Sequence, residues 1–214
     1  MADTDLTVLS NMEYQLLEVQ NGGTALTTSM WSGLSEWLDA LNLAQSEFLL
    51  KTGCIIKRTT IGATPGIDLY ALPSDYLAMV RLAWSYTDGS GKARIRVITV
   101  TDEFELDNGV SNWPFSYDLP AFATITETPT LKFKVAKAPS DVGSFILHYV
   151  PKGAVLDGSG IPLAVPTGAE QFIRYGAMGV LLSKNEFAAD PQRAEYCKMR
   201  YEMGIELMGL LLGG

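Results

Sequence analysis

Leu6, Leu9, Met12, Leu16 and Val19 recur at steps of three and four, and this spacing predicts an amphipathic helix over residues 5–20. Asn21, Gly22 and Gly23 then supply residues that end helices. A second helix is predicted from 29 to 51, with Thr27 or Thr28 as its cap, Trp31, Leu34, Leu38, Leu41, Ala44 and Phe48 on one face, and Gly53 closing it.

From Cys54 to Val150 the period changes to two and proline and glycine become frequent, as in antiparallel strands. Ala78, Val80, Leu82, Trp84 and Tyr86 alternate with Leu77, Met79, Arg81 and Ala83, and Asp88-Gly89-Ser90-Gly91 turns the chain into a strand around 94–99. Strands over 122–127 and 130–136 flank a turn at Thr128-Pro129, with Leu131, Phe133 and Val135 inward and Lys132 and Lys134 outward. The last strand spans 144–150. Between the hairpins, 102–106 predicts one helical turn, and 108–120 is an irregular loop whose Trp113, Phe115 and Tyr117 call for a packing partner.

Helices then return. Thr167-Gly168-Ala169-Glu170 has the form of a capping box, and Asp190-Pro191 pairs an N-cap with proline at the first helical position. Gly176, Ala177 and Gly179 permit close approach of another backbone in the first of these helices. Ala194, Cys197, Tyr201, Ile205, Met208 and Leu212 form the stripe of the last. The expected fold is α+β: a four-helix bundle built from both chain ends, with an inserted antiparallel β domain. Its parts are N-terminal helices (1–53), the β domain (54–151), a glycine- and proline-rich connector (152–166) and a C-terminal helical hairpin (167–214).

Composition narrows the function. With Lys+Arg 16 against Asp+Glu 24, net charge is −8, and no polybasic run offers tight phosphate binding. Cys54 and Cys197 have neither a CxxC partner nor a preceding secretory segment, so reduced thiols in an intracellular protein are expected. The apolar stretches are too short to span a membrane, so a soluble protein is expected.

Candidate chemistry is sparse. His148, the one histidine, falls in a predicted strand with no nucleophile motif to serve. Asp102, Glu103 and Glu105 lie together in one polar segment, as solvated or capping residues do. Gly89-Ser90-Gly91-Lys92 lacks phosphate-loop spacing, and one histidine with two distant cysteines gives no usual zinc set, so neither cofactor nor metal is expected. The apolar run Leu207–Leu212 reads equally well as the last turn of a bundle helix or as an exposed anchor for another protein.

Four segments carry a family resemblance: Glu47-Phe48-Leu49-Leu50-Lys51-Thr52-Gly53, the LPxD-type turn Leu72-Pro73-Ser74-Asp75-Tyr76 leading to Trp84, the strand end Leu147-His148-Tyr149-Val150-Pro151, and the helical hairpin across Asp190-Pro191. In this layout the chain resembles the head-to-tail adaptor proteins of tailed bacteriophages, tail tubular protein A type. The resemblance implies a structural virion protein and not an enzyme. It implies a ring, usually of twelve copies, in the neck between the capsid portal and the tail or nozzle protein, assembled in the host bacterial cytoplasm, with DNA passing through without specific binding. The candidate partner-binding residues are Tyr201, Ile205, Met208, Leu211 and Leu212, in the segment that would reach the portal. The rival readings are another tail-completion or accessory β-module protein and, behind it, a hydrolase with a carboxylate site.

Overall fold

The structure is a computed structural model, and it describes residues 3–17, 34–109, 112–113, 116–127, 130–184 and 189–212. The elements in chain order are α1 (Asp5–Leu17), α2 (Leu34–Thr52), β1 (Lys57–Ala63), β2 (Leu69–Ala71), β3 (Tyr76–Thr87), β4 (Ala93–Val100), α3 (Glu103–Gly109), β5 (Phe122–Glu127), β6 (Leu131–Val135), β7 (Gly143–Pro151), α4 (Glu170–Leu182) and α5 (Pro191–Leu212). They form two compact units, one of residues 1–55 and 152–214 and the other of residues 56–151. The fold is α+β. Val19, Asn21, Gly22, Gly23, Thr27, Thr28, Trp31, Phe115 and the turn at Thr128-Pro129 lie outside the described residues.

In the helical unit, α4 packs against α1, α2 and α5, and α2 also meets α5. The glycines of α4 and α5 make the approaches among α2, α4 and α5 possible. A Cβ on Gly176 would come within 2.8 Å of the Tyr201 ring and 3.0 Å of Ala44 Cβ, and one on Gly204 would sit 2.2 Å from Phe172 Cγ. Each interior glycine costs a helix about 1 kcal/mol relative to alanine, and here close packing offsets it.

Two helical stripes differ from their predicted course. On α1 the buried positions are Val8, Leu9, Met12 and Leu16, while Leu6 is exposed. On α2 the core side is Trp37, Ala40, Leu41, Ala44, Phe48 and Leu49, with Leu34 exposed and Leu38 half-buried. Both helices are apolar on more than one side, so periodicity leaves their rotation open and packing on α4 selects it.

The capping box is also corrected. The backbone at Gly168 has φ +97°, which turns the chain so that Ala169, not Thr167, is the N-cap, and no side chain caps the helix. Glu170 is buried at the first helical position, where its carboxylate accepts from the amides of Gly168 and Asp3. Asp190-Pro191 starts α5 as expected: Asp190 Oδ1 accepts from Arg193 N at 3.0 Å. Gly53, at φ +57°, closes α2, its amide donating to Leu49 O at 2.9 Å.

The segment 152–166 is more than a connector. Leu156, Leu163 and Val165 are buried in the helical unit. Polar side chains of the helices take up its backbone groups. Asp5 accepts from the amides of Gly158 (2.8 Å) and Gly160 (2.9 Å), and Asn42 both donates to and accepts from Leu156. Gln45 donates to Ala154 O and accepts from Ala164 N. Buried backbone needs such partners wherever no helix or strand supplies them.

The β unit is a seven-stranded sheet of order β1-β7-β3-β4-β5-β6-β2. It is mixed and not antiparallel, because β4 and β5 pair in parallel at Thr99↔Phe122 and Val100↔Ala123. The chain between them does not turn back as a hairpin but crosses over through α3 and the loop after it, so β5 enters in the direction of β4. The alternation expected in β3 fails at Val80, which is exposed and lies at a register shift between Met79 and Arg81, where β3 bulges against β7.

The sheet curls on itself. Tyr70 of β2 and Phe145 of β7 are five places apart in strand order, about 24 Å in a flat sheet, yet their rings are 4.7 Å apart. Phe133 and Trp84 complete this aromatic core, with Leu82, Ile98 and Leu147 beside them. Only the short loop after Ala63 separates β1 from β2, which brings the two edges of the sheet together.

Candidate assembly surfaces

The LPxD-type turn is built as a lock. Leu72 and Tyr76 are buried, the Tyr76 amide donates to Pro73 O at 3.0 Å, and the Asp75 carboxylate accepts from Lys57 Nζ and from the Tyr149 hydroxyl, each at 2.7 Å. One side chain thereby ties together β1, β7 and the start of β3. The Lys57 ammonium bonded to it is the main reason the Asp75 carboxyl lies below the usual range. Burial, and then Asp75 itself, pushes the Tyr149 hydroxyl up to about 12.

The residues considered for chemistry are dispersed. His148 lies half-buried in β7 with Arg58 and Arg81 as cross-strand neighbours. Asp102 caps α3, accepting from Glu105 N at 2.7 Å, and Glu105 accepts from the Thr101 hydroxyl. Asp88 organises the β3–β4 turn, accepting from the Ser90 and Lys92 amides and from Arg94 Nε, with Gly91 at φ +77°. Trp113 is buried against Leu106 and Ala136 and donates to Asp107, whereas Tyr117 is exposed. Cys54 and Cys197 are both free thiols, raised above the ordinary range by burial. Among the described residues no cluster of three or more His, Cys, Asp or Glu is placed to hold a metal, and no helix is long and apolar enough to cross a membrane.

The partner-binding candidates on α5 divide by burial. Tyr201 faces inward and donates its hydroxyl to Ala44 O at 2.9 Å, Met208 is buried and Ile205 half-buried. These three are held largely by their own chain. Beyond them the helix is bare: Leu210 is 80% exposed, Leu211 70% and Leu212 52%. The exposed side also carries Met199, Met203 and Leu207 at steps of four, a second apolar stripe that was legible in the sequence but masked by the stronger buried one. On the other side of α5 a groove of about 500 Å³ opens over the glycines of α4, between Leu43 and Glu47 of α2 and Lys198 and Glu202 of α5.

The described residues thus combine a polar lock, dispersed titratable groups and exposed apolar helix surface. The family follows from a family model described as SU10 adaptor protein, which matches residues 16–210. The chain belongs to that family: it is a bacteriophage adaptor protein, a structural component of the neck region. No curated protein sequence matches it closely enough to add to that assignment.

Proposed function

We propose that this adaptor forms a closed ring, of twelve copies, that joins the portal to the tail and lines the channel through which DNA leaves. The four long helices act as one bundle, and the end of α5 is the portal anchor, with Leu211 and Leu212 its contact residues and Leu210 beside them. The ring is assembled in the host cytoplasm and its work is mechanical. The observation that carries this reading is the adaptor-family match together with three consecutive leucines left exposed on the last turn of α5. Such a patch is costly in water unless a partner covers it. The net charge of −8 supports the channel role, since a negative wall does not retain DNA.

The test is electron microscopy with native mass spectrometry of the full chain, alone and co-expressed with the portal protein of the same phage. A ring stacked on the portal is expected, and deletion of residues 210–214 is expected to release the portal while leaving the helical unit folded. If the chain associates with tail proteins but never with the portal, the neck reading fails.

A further inference from the structure

Within the helical unit, the outer side of α5 falls into three stripes. Tyr196, Met199 and Met203, at steps of three and four, form an apolar ridge whose side chains are 50%, 51% and 47% exposed. Arg193 and Arg200 flank the ridge on one side, Glu195 and Glu202 on the other. Residues two apart on a helix point about 160° away from each other, so Arg193 and Glu195 face opposite ways, as do Arg200 and Glu202.

On the glutamate side α5 borders the groove of about 500 Å³, with Glu195 and Glu202 on its rim. The floor is apolar, because Gly176 and Gly179 of α4 put no side chain there and Ala44 and Ala194 add only methyl groups. The rim holds three carboxylates, Glu47, Glu195 and Glu202, against Lys51 and Lys198, and Lys51 is already paired with Glu47 at 3.8 Å.

On the arginine side positive charge is crowded. The guanidiniums of Arg174 and Arg200 lie 5.7 and 5.5 Å from the centre of one ring, that of Tyr175, and the Nε atoms of both are buried without a hydrogen-bond partner. Arg193 donates to Gln15 O at 2.7 Å. Among the described residues no carboxylate pairs with Arg174, Arg193 or Arg200, and no cation pairs with Glu195 or Glu202. In a chain of net charge −8, these arginines lack an anion that their own fold does not provide.

We propose that the α5 ridge of a second copy of this chain lies in the groove, with its Arg193 and Arg200 against Glu195 and Glu202 of the first copy. This rests on the reading that copies form a closed ring, and it names the two unlike surfaces that a head-to-tail ring requires. Tyr196, Met199 and Met203 are the i, i+3 and i+7 anchors by which an amphipathic helix enters a groove. The groove follows α5 from Pro191 to Glu202, about 16.5 Å, and the ridge from Tyr196 to Met203 rises about 10.5 Å from a start inside that span. A closed ring is a rotation without rise, so α5 helices that run along its axis meet at equal heights. Arg193 and Glu195 differ in height by about 3 Å, as do Arg200 and Glu202, and long side chains bridge that difference. Each copy turns its arginines to one neighbour and its glutamates to the other, so the contact repeats without using either flank twice. Nucleic acid fits less well, because phosphates on the arginines would run beside the apolar ridge and leave the groove unfilled. The last turn of α5 lies beyond the groove and stays free for the portal.

The experiment uses the full chain, co-expressed with the portal. A photo-crosslinking phenylalanine analogue at Met199, in an equal mixture of isotopically light and heavy chains, is expected to yield mixed-isotope crosslinks to residues 43–51 and 176–183. M199K/M203K, R193E/R200E and E195R/E202R are each expected to weaken self-association by about tenfold or more. Combining the two charge reversals is expected to restore it, as paired charges across an interface do. Circular dichroism is expected to be unchanged in M199K/M203K, whose side chains already meet water, so this variant carries the test even where replacing Arg200 disturbs the fold. A ring that forms without these crosslinks, tolerates M199K/M203K or ignores both reversals overturns the docking while leaving the ring reading intact. A chain that forms no assembly overturns both. If R193E/R200E assembles normally but the ring loses binding to a fluorescent DNA duplex, the arginines serve nucleic acid and the docking is wrong.

Discussion

Asp5 offers the sharpest test of how the helical unit is held. Its side chain is fully buried and accepts from three backbone amides, those of Leu6, Gly158 and Gly160. Asp5→Ala leaves the two glycine amides without partners inside the unit. Both glycines are half-buried, so each orphaned donor costs no more than a buried one, about 1–3 kcal/mol, and relief of the buried carboxylate's desolvation returns part of that; a net loss of about 1–3 kcal/mol is expected. Hydrogen exchange read by mass spectrometry over residues 152–166 is the suitable assay, because it reports the segment directly and needs no two-state assumption for a chain of two units. A loss of 2 kcal/mol corresponds to about thirtyfold faster exchange at Gly158 and Gly160. Peptides of the β unit are expected to exchange as before. Unchanged protection at both glycines, with an unchanged urea midpoint for the helices, would refute the claim that this carboxylate fastens the segment.

Three further outcomes are expected. Gly204→Ala gains helix propensity of about 1 kcal/mol but drives a methyl into the Phe172 ring base, so the thermal midpoint of the helical unit should fall, a net loss of about 1–3 kcal/mol. Tyr149 is pushed up to about 12 from an ordinary value of about 10. Its contribution is therefore complete below pH 10 and lost as pH rises towards 12, and urea midpoints should show a smaller alkaline decline in Tyr149→Phe. Asp88 is held down to about 2, chiefly by its hydrogen bonds from Ser90, Lys92 and Arg94. The turn it organises should then stay ordered from neutral pH down through 4 and loosen only towards 2, as followed by the Ser90 and Lys92 amide resonances.

Local chemistry made much of this protein legible before its structure. The Asp190-Pro191 start of α5, the end of α2 at Gly53 and the Asp88 turn each depend on a few neighbouring residues, whose backbone preferences act over one turn of chain. Alternation placed Phe133 and Val135 inward for the same reason, whereas Leu131, also expected inward, is exposed at the first position of β6. Which side of an apolar helix is buried is a different kind of question. Leu6 and Leu34 are exposed, and Val8 and Trp37 buried, because packing against α4 selects one side of each helix.

The parallel β4–β5 pair, the bulge at Val80 and the curl that brings Tyr70 onto Phe145 likewise depend on partners distant in sequence. So do the surfaces offered for assembly. Sequence alone identified a leucine-rich helix end, but only burial separated the exposed Leu211 and Leu212 from Tyr201 and Met208 on the same helix. Likewise, only strand register could align Arg58, His148 and Arg81, because neighbours across a sheet are set by pairing and not by distance along the chain.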